Sequence, residues 1–182
     1  MIEDEAAEYC DAAIPAAPGD SQADAGSLHV LIARQPFFKG LSPAQLRLLA
    51  GSAMVTRFEP NQWILRAGHS ANRFYLVVEG KVALESDKKY RALLPSQTRG
   101  PGDDLGWSWL FPPFCPQFSA RAVEPTRVIF FHGDRLRRQC EEDHDLGYEL
   151  MRRIAGATIH TLNAPLKKQL IQIPFPPASP LC

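Results

Sequence analysis

No stretch of this 182-residue chain approaches the roughly 20 consecutive apolar residues that cross a bilayer. The opening, MIEDEAAEYC, lacks the basic start and apolar core of a secretory leader. Together these absences predict a cytoplasmic protein with no membrane partner. Cysteine is scarce: four residues, Cys10, Cys115, Cys140 and Cys182, lie far apart. None has the CxxC or Cys/His spacing of a zinc or iron–sulfur site, and without a leader reduced thiols are expected. The five histidines include no HxH pair, so no metal cofactor is expected. There is no GxSxG, HExxH or P-loop either, and enzymatic activity is not expected. A haem held through His69 or Cys115 stays open as an alternative, as does a site that no motif reveals.

Charge is balanced overall, with 20 Lys+Arg against 20 Asp+Glu, but it is unevenly placed. Glu3, Asp4, Glu5, Glu8, Asp11, Asp20 and Asp24 crowd residues 1–26, which hold no Lys or Arg. The rest of the chain is mildly basic, short of a nucleic-acid footprint. Residues 1–26 therefore read as a flexible acidic arm, either solvated or folded over a basic face. Residues 164–182 include IPFPPASPLC and read as a proline-rich tail.

Between these ends the hydrophobic period changes twice. Leu28 to Arg34 reads as a short apolar helix, which Gln35-Pro36-Phe37-Phe38 breaks. Ser42-Pro43 opens a second helix, with Ser as N-cap and Pro in the first turn, and Leu46, Leu49 and Ala50 on its apolar face. From Ala53 the runs shorten and favour β-branched and aromatic residues: Val55–Phe58, Trp63–Leu65, Phe74–Val78, Lys81–Glu85, Tyr90–Leu94, Phe118–Val123 and Thr126–His132. Turn residues separate them, as in a sandwich or barrel. Helix returns at Gly133, and Leu146, Leu150, Ile154 and Ala157 repeat at helical spacing until Pro165 is expected to stop them. That stripe covers the domain's own core or pairs with its copy in a homodimer. The expected fold class is α+β: an antiparallel, jelly-roll-like β-roll with short helices before it and helices after it.

Four local motifs stand in order: Pro36-Phe37-Phe38-Lys39-Gly40-Leu41-Ser42; Phe58 to Leu65 followed by Ala67-Gly68-His69; Phe74 to Val82 around Glu79-Gly80; and Pro101-Gly102-Asp103-Asp104-Leu105-Gly106-Trp107. In this order they resemble the cyclic nucleotide-binding domain, as in the effector half of CRP/FNR-type bacterial regulators, over about Leu31 to Asn163. The domain is accordingly placed at residues 27–163. The resemblance implies a small-molecule ligand, a cyclic nucleotide or another compound. It also implies a cassette in which a short helix after a glycine faces the ligand phosphate. A carboxylate in that turn would hold a ribose hydroxyl, and a later arginine would pair with the phosphate.

In this chain the carboxylate slot falls on Asp104, with Asp103 as the alternative register or as a cap of the short helix. Aligning Arg121-Ala122 on the family's Arg-Ala puts Ser119 on a threonine and Pro116 on the phosphate arginine, so that arginine is missing. A shifted register would bring Arg121 or Arg99 inward instead. The candidate ligand site is Gly102, Asp103, Asp104, Leu105, Gly106, Trp107, Ser119 and Arg121. Trp107, Trp109, Phe111, Phe114 and Phe118 crowd the same segment, either lining a pocket for a flatter, less anionic ligand or filling the vacated space as core.

CRP/FNR regulators continue into a helix-turn-helix, which the residues after Asn163 do not supply, so direct DNA binding is not expected. The sequence thus predicts a stand-alone regulatory sensor, divergent in ligand, that signals through a protein partner or a homodimer. A degenerate interaction module that binds no ligand is the alternative.

Overall fold

The computed structural model describes residues 25–69, 71–86, 97–110, 115–116 and 118–171. Helix α1 (Ala25–Ala33), a 3-10 turn (Pro36–Phe38) and α2 (Pro43–Ala50) precede the strands. Ser42 caps α2 as its position suggests, and Gln45 completes a capping box the sequence reading missed. Ser42 Oγ accepts from Gln45 N at 3.2 Å, and Gln45 Oε1 accepts from Ser42 N at 3.0 Å.

The described strands are β1 (Ala53–Phe58), β2 (Trp63–Leu65), β3 (Arg73–Glu79), β4 (Val82–Ser86), β5 (Gln97–Arg99), β6 (Asp104–Leu105), β7 (Phe118–Ala122) and β8 (Thr126–His132). They form two four-stranded sheets, ordered β1-β8-β3-β6 and β2-β7-β4-β5. Every strand pairing is antiparallel. The expected β-roll is therefore present. The strand expected at Tyr90–Leu94 lies outside the described residues, as do most of the acidic arm and the IPFPPASPLC segment.

The chain has two cores because β3 and β8 are buried on both faces. Tyr75, Val77, Val128 and Phe130 point between the sheets, where they meet Ile64, Leu65, Val82, Leu84, Leu105, Ala120 and Ala122. Phe74, Leu76, Ile129 and Phe131 point the other way, onto the helices. Antiparallel strands usually alternate apolar and polar residues. Here the helices cover the second face, so the runs Phe74–Val77 and Val128–Phe131 are apolar throughout.

Helices α3 (Gly133–Glu142) and α4 (His144–Ile171) follow. Asp143 caps α4, its Oδ1 accepting from Leu146 N at 2.9 Å. Leu146, Leu150 and Ile154 are buried in the domain's own helical core, which decides the question their spacing left open. A different set on α4, Tyr148, Met151 and Ile159, remains exposed at 67%, 41% and 59%. Pro165, expected to stop the helix, lies inside it. A proline removes one N–H bond and crowds one carbonyl. The strong helix formers that follow, Leu166 to Leu170, let the ladder resume.

Cys140 is a free thiol. Cys115, contrary to the expectation of reduced thiols, is disulfide-bonded.

Candidate functional site

The candidate cassette begins in the tight turn Gly100–Asp103. Asp103 N donates to Gly100 O at 3.1 Å, and Gly100 N donates back to Asp103 Oδ2 at 2.9 Å. The turn is fastened to β3 by Gly102 N to Val77 O at 2.8 Å and Val77 N to Asp103 O at 2.9 Å. Asp104 and Leu105 then pair with Leu76 and Tyr75 as the short edge strand β6. Leu105 is buried between the sheets.

Gly106 reverses the chain. Its φ is +80°, and a Cβ there would stand 2.9 Å from the carbonyl oxygen of Arg73, so no other residue fits without a shift. It opens a 3-10 turn, Trp107–Trp109, closed by Leu110 N to Trp107 O at 3.2 Å. This corrects the expected geometry. The glycine that starts the helical turn is Gly106, and the residue after it is Trp107. Asp103 does not cap this turn; it closes the one before. Asp104 lies in the strand between them.

Gly102 to Trp107 thus form one continuous turn–strand–turn unit along the β3 edge. Ser119 and Arg121 are placed differently. Their neighbours on β7, Ala120 and Ala122, point between the sheets, so strand alternation turns Ser119 and Arg121 to the outer face. Ser119 Oγ accepts from Ala67 N at 3.0 Å. Arg121 pairs with Glu85 at 2.6 Å and lies over the Trp63 ring at 5.4 Å. Pro116, in the slot aligned with the phosphate arginine, is buried and accepts from Gly68 N at 3.2 Å.

Arg99 is the basic residue on the inward side. It sits opposite Val82, which points between the sheets, and it acts electrostatically on Asp104. Burial pushes the Asp104 carboxyl above the usual carboxylate range, and the Arg99 charge only partly offsets this. A raised carboxyl pKa means the folded chain binds more protons than the unfolded one between the two values. Stability therefore falls as pH rises through that window. Asp104→Asn is expected to raise the unfolding midpoint at pH 7 and to lose the advantage below the ordinary carboxylate range. Thermal unfolding across pH 3–7 checks this; an advantage independent of pH would contradict the assigned cause.

The two tryptophans part company, an arrangement neither aromatic alternative anticipated. Trp107 is half-buried and meets Phe118 edge to face, with ring centroids 6.3 Å apart. Trp109 is 1% exposed and packs into the helical core, 6.2 Å from the Phe74 ring. Its backbone oxygen accepts from the Arg137 guanidinium of α3. Gly133, the first residue of α3, makes room for it: a Cβ there would lie 2.8 Å from Trp109 Cβ. Neither Arg137 nor Gly133 carries a local signal in the sequence, because their role depends on contact with a segment far away in the chain. Phe111 and Phe114 lie outside the described residues.

Beside Trp109 is a cavity of about 340 Å³, bounded by Leu110, Arg137, Cys140, His144 and Leu150. It separates the cassette from the α3–α4 junction. Burial, then Asp143 and Glu141, push the Cys140 thiol up to about 11. It stays protonated near neutral pH and is a poor nucleophile. Among the described residues no cluster of three or more metal-ligating side chains occurs, and no helix is long and apolar enough to cross a membrane.

A two-sheet antiparallel roll, a glycine-led turn at its edge and two closing helices define the class of helix-closed β-roll domains. More particularly, the family description "Cyclic nucleotide-binding domain" matches residues 55–143, and the chain carries a domain of that family. A putative cyclic nucleotide-binding protein from Geobacter metallireducens GS-15 superposes with a TM-score of 0.64 at 29% identity. That alignment covers 77% of this chain and 98% of the other. The sensor domain of the transcriptional regulator DNR from Pseudomonas aeruginosa shares the fold. Its TM-score is 0.56 at 19% identity, over 70% of this chain and 91% of that one. The CRP-like cAMP-activated global transcriptional regulator of Mycobacterium tuberculosis is 24% identical over 136 residues, 73% of this chain. The chain spans 59% of the length of that relative.

Proposed function

We propose that this chain is a cytoplasmic regulatory sensor that reads a small molecule at the Gly102–Trp107 edge of the roll and passes the response to α3 and α4. The observation that carries the reading is the double docking of Trp109. Its ring is buried among the helices, and its carbonyl is held by Arg137. A ligand that moves the Gly106 turn thus moves α3, which a merely structural edge turn would not require. No catalytic role is assigned.

The ligand contacts differ from the family's pattern. Arg121 is committed to Glu85 on the outer face, Pro116 offers no donor, and the carboxylates precede Gly106. Arg99 is the basic group best placed to meet an anion from within. The response reaches either a protein partner or a second copy through the exposed Tyr148, Met151 and Ile159. Sedimentation at micromolar concentration separates these two.

Calorimetric titration with cyclic AMP tests the reading. Losing one charge-assisted phosphate pair costs about tenfold to a hundredfold in affinity, so binding weaker than micromolar is expected. Micromolar or tighter binding would keep the sensor and overturn the divergent ligand. Absence of heat at two temperatures would favour a second reading, an interaction module with a filled roll. That reading draws support from the side chains packed between the sheets and from the Trp107–Phe118 contact.

A further inference from the structure

A groove of about 370 Å³ runs between α1 and the start of β8, lined by Ser27, Leu28, Val30, Leu31, Arg34 and Arg127. Its floor is apolar: Leu28 is buried, and Val30 is 50% exposed. Its rim is basic beyond what the sheet favours. Arg57 of β1 stands directly across from Arg127 of β8 in the ladder, and like charges in that position repel. The acid described near them is Glu79, which meets Arg127 at 3.5 Å while its side chain is 59% exposed, a weak pair. Arg34 and Arg57 have no acidic partner among the described residues.

We propose that this groove is the docking site of the chain's own acidic segment, residues 1–24. The segment carries seven acids and no Lys or Arg, with Ile2 before them and Tyr9 and Ile14 between them. It joins the structure at Ala25, the first residue of the helix that forms one wall of the groove. Asp20 and Asp24 are therefore within about 20 Å of the groove wall even as extended chain. Tethering at that point makes the local concentration of acid high, so a few individually weak pairs suffice to hold the segment. Aliphatic residues of the segment would cover Val30, and its carboxylates would face Arg34, Arg57 and Arg127. The docking is intramolecular and independent of any ligand at the Gly102–Trp107 edge.

Backbone ¹⁵N relaxation of the full chain tests this. At about 10 mM salt, where charges act over some 30 Å, order parameters for part of residues 1–24 are expected near 0.85, the value of a rigid backbone. At about 1 M salt they should fall below roughly 0.6. The variant Arg34→Glu/Arg127→Glu should show the low values at both salts, with the amide spectrum of β1–β8 unchanged as the control for folding. Adding Asp20→Lys/Asp24→Lys to it should restore order. Low order parameters in the native sequence at both salts would overturn the proposal. So would order that survives charge reversal, or order that rises with protein concentration, since the last would mean that another copy's segment fills the groove.

Discussion

Gly80→Ala is expected to destabilise the domain by roughly 3–4 kcal/mol, lowering its melting temperature by about 10 °C. Two effects combine at this position. The backbone φ is +93°, outside the range that side chains readily allow. A Cβ would also lie 2.6 Å from Pro125 O and 2.7 Å from Thr126 Cα. Those are backbone atoms at the start of β8, the strand shared by both cores, so neither can swing aside. Gly102→Ala supplies the comparison. Its φ is nearly the same, +91°, but its added Cβ meets the ring of Pro36 at 3.2 Å, and Pro36 is exposed. The expected cost is about 1–2 kcal/mol, mostly backbone strain. Thermal unfolding of both variants checks the difference; equal losses would mean that strain alone decides.

Trp109→Ala should be comparably damaging, about 3–5 kcal/mol, because it leaves a large cavity in the helical core. Its companion Trp109→Phe should cost far less than truncation alone suggests. The indole Nε1 of Trp109 is buried with no hydrogen-bond partner among the described residues. An unpaired buried donor costs about 1–3 kcal/mol, and phenylalanine removes it along with part of the ring. The two effects oppose each other, so the expected net loss is about 1 kcal/mol. The alanine variant should also speed amide exchange through Gly106–Leu110, since the turn loses its anchor. A phenylalanine variant as unstable as the alanine one would show that the indole N–H is satisfied after all.

Most of the roll was legible because its central strands are chemically emphatic. Phe74–Val78 and Thr126–His132 are rich in β-branched and aromatic residues, and Ser42-Pro43 marks a helix start by capping alone. Two of the four edge strands, β5 and β6, were not legible. Gln97–Arg99 is polar, Asp104–Leu105 has two residues, and both owe their conformation to the strands beside them. Pro165 misled in the other direction, because a local rule against proline was outweighed by the helix formers around it.

At the site, the presence of a glycine-led cassette could be read, but its register could not. Gly102 and Gly106 both adopt positive φ, and nothing in the residues says which one starts the helical turn. The turn follows Gly106, so Asp103 and Asp104 lie upstream of it. The outward direction of Arg121 did follow from strand alternation. The separation of Trp107 from Trp109 did not, because it depends on the space that Gly133 leaves on α3.

Among the described residues Ile154 is the last of α4 to be buried in the helical core, and the helix continues to Ile171. That portion is about 25 Å long. Length multiplies small rotations: a tilt of about 10° at Ile154 would carry the far end through some 4 Å. That displacement is several times larger than a side chain needs in order to lose its packing partner. An adjustment at the Trp109–Gly133 contact too small to disturb the roll could therefore be read at a distance, as the angle of a lever.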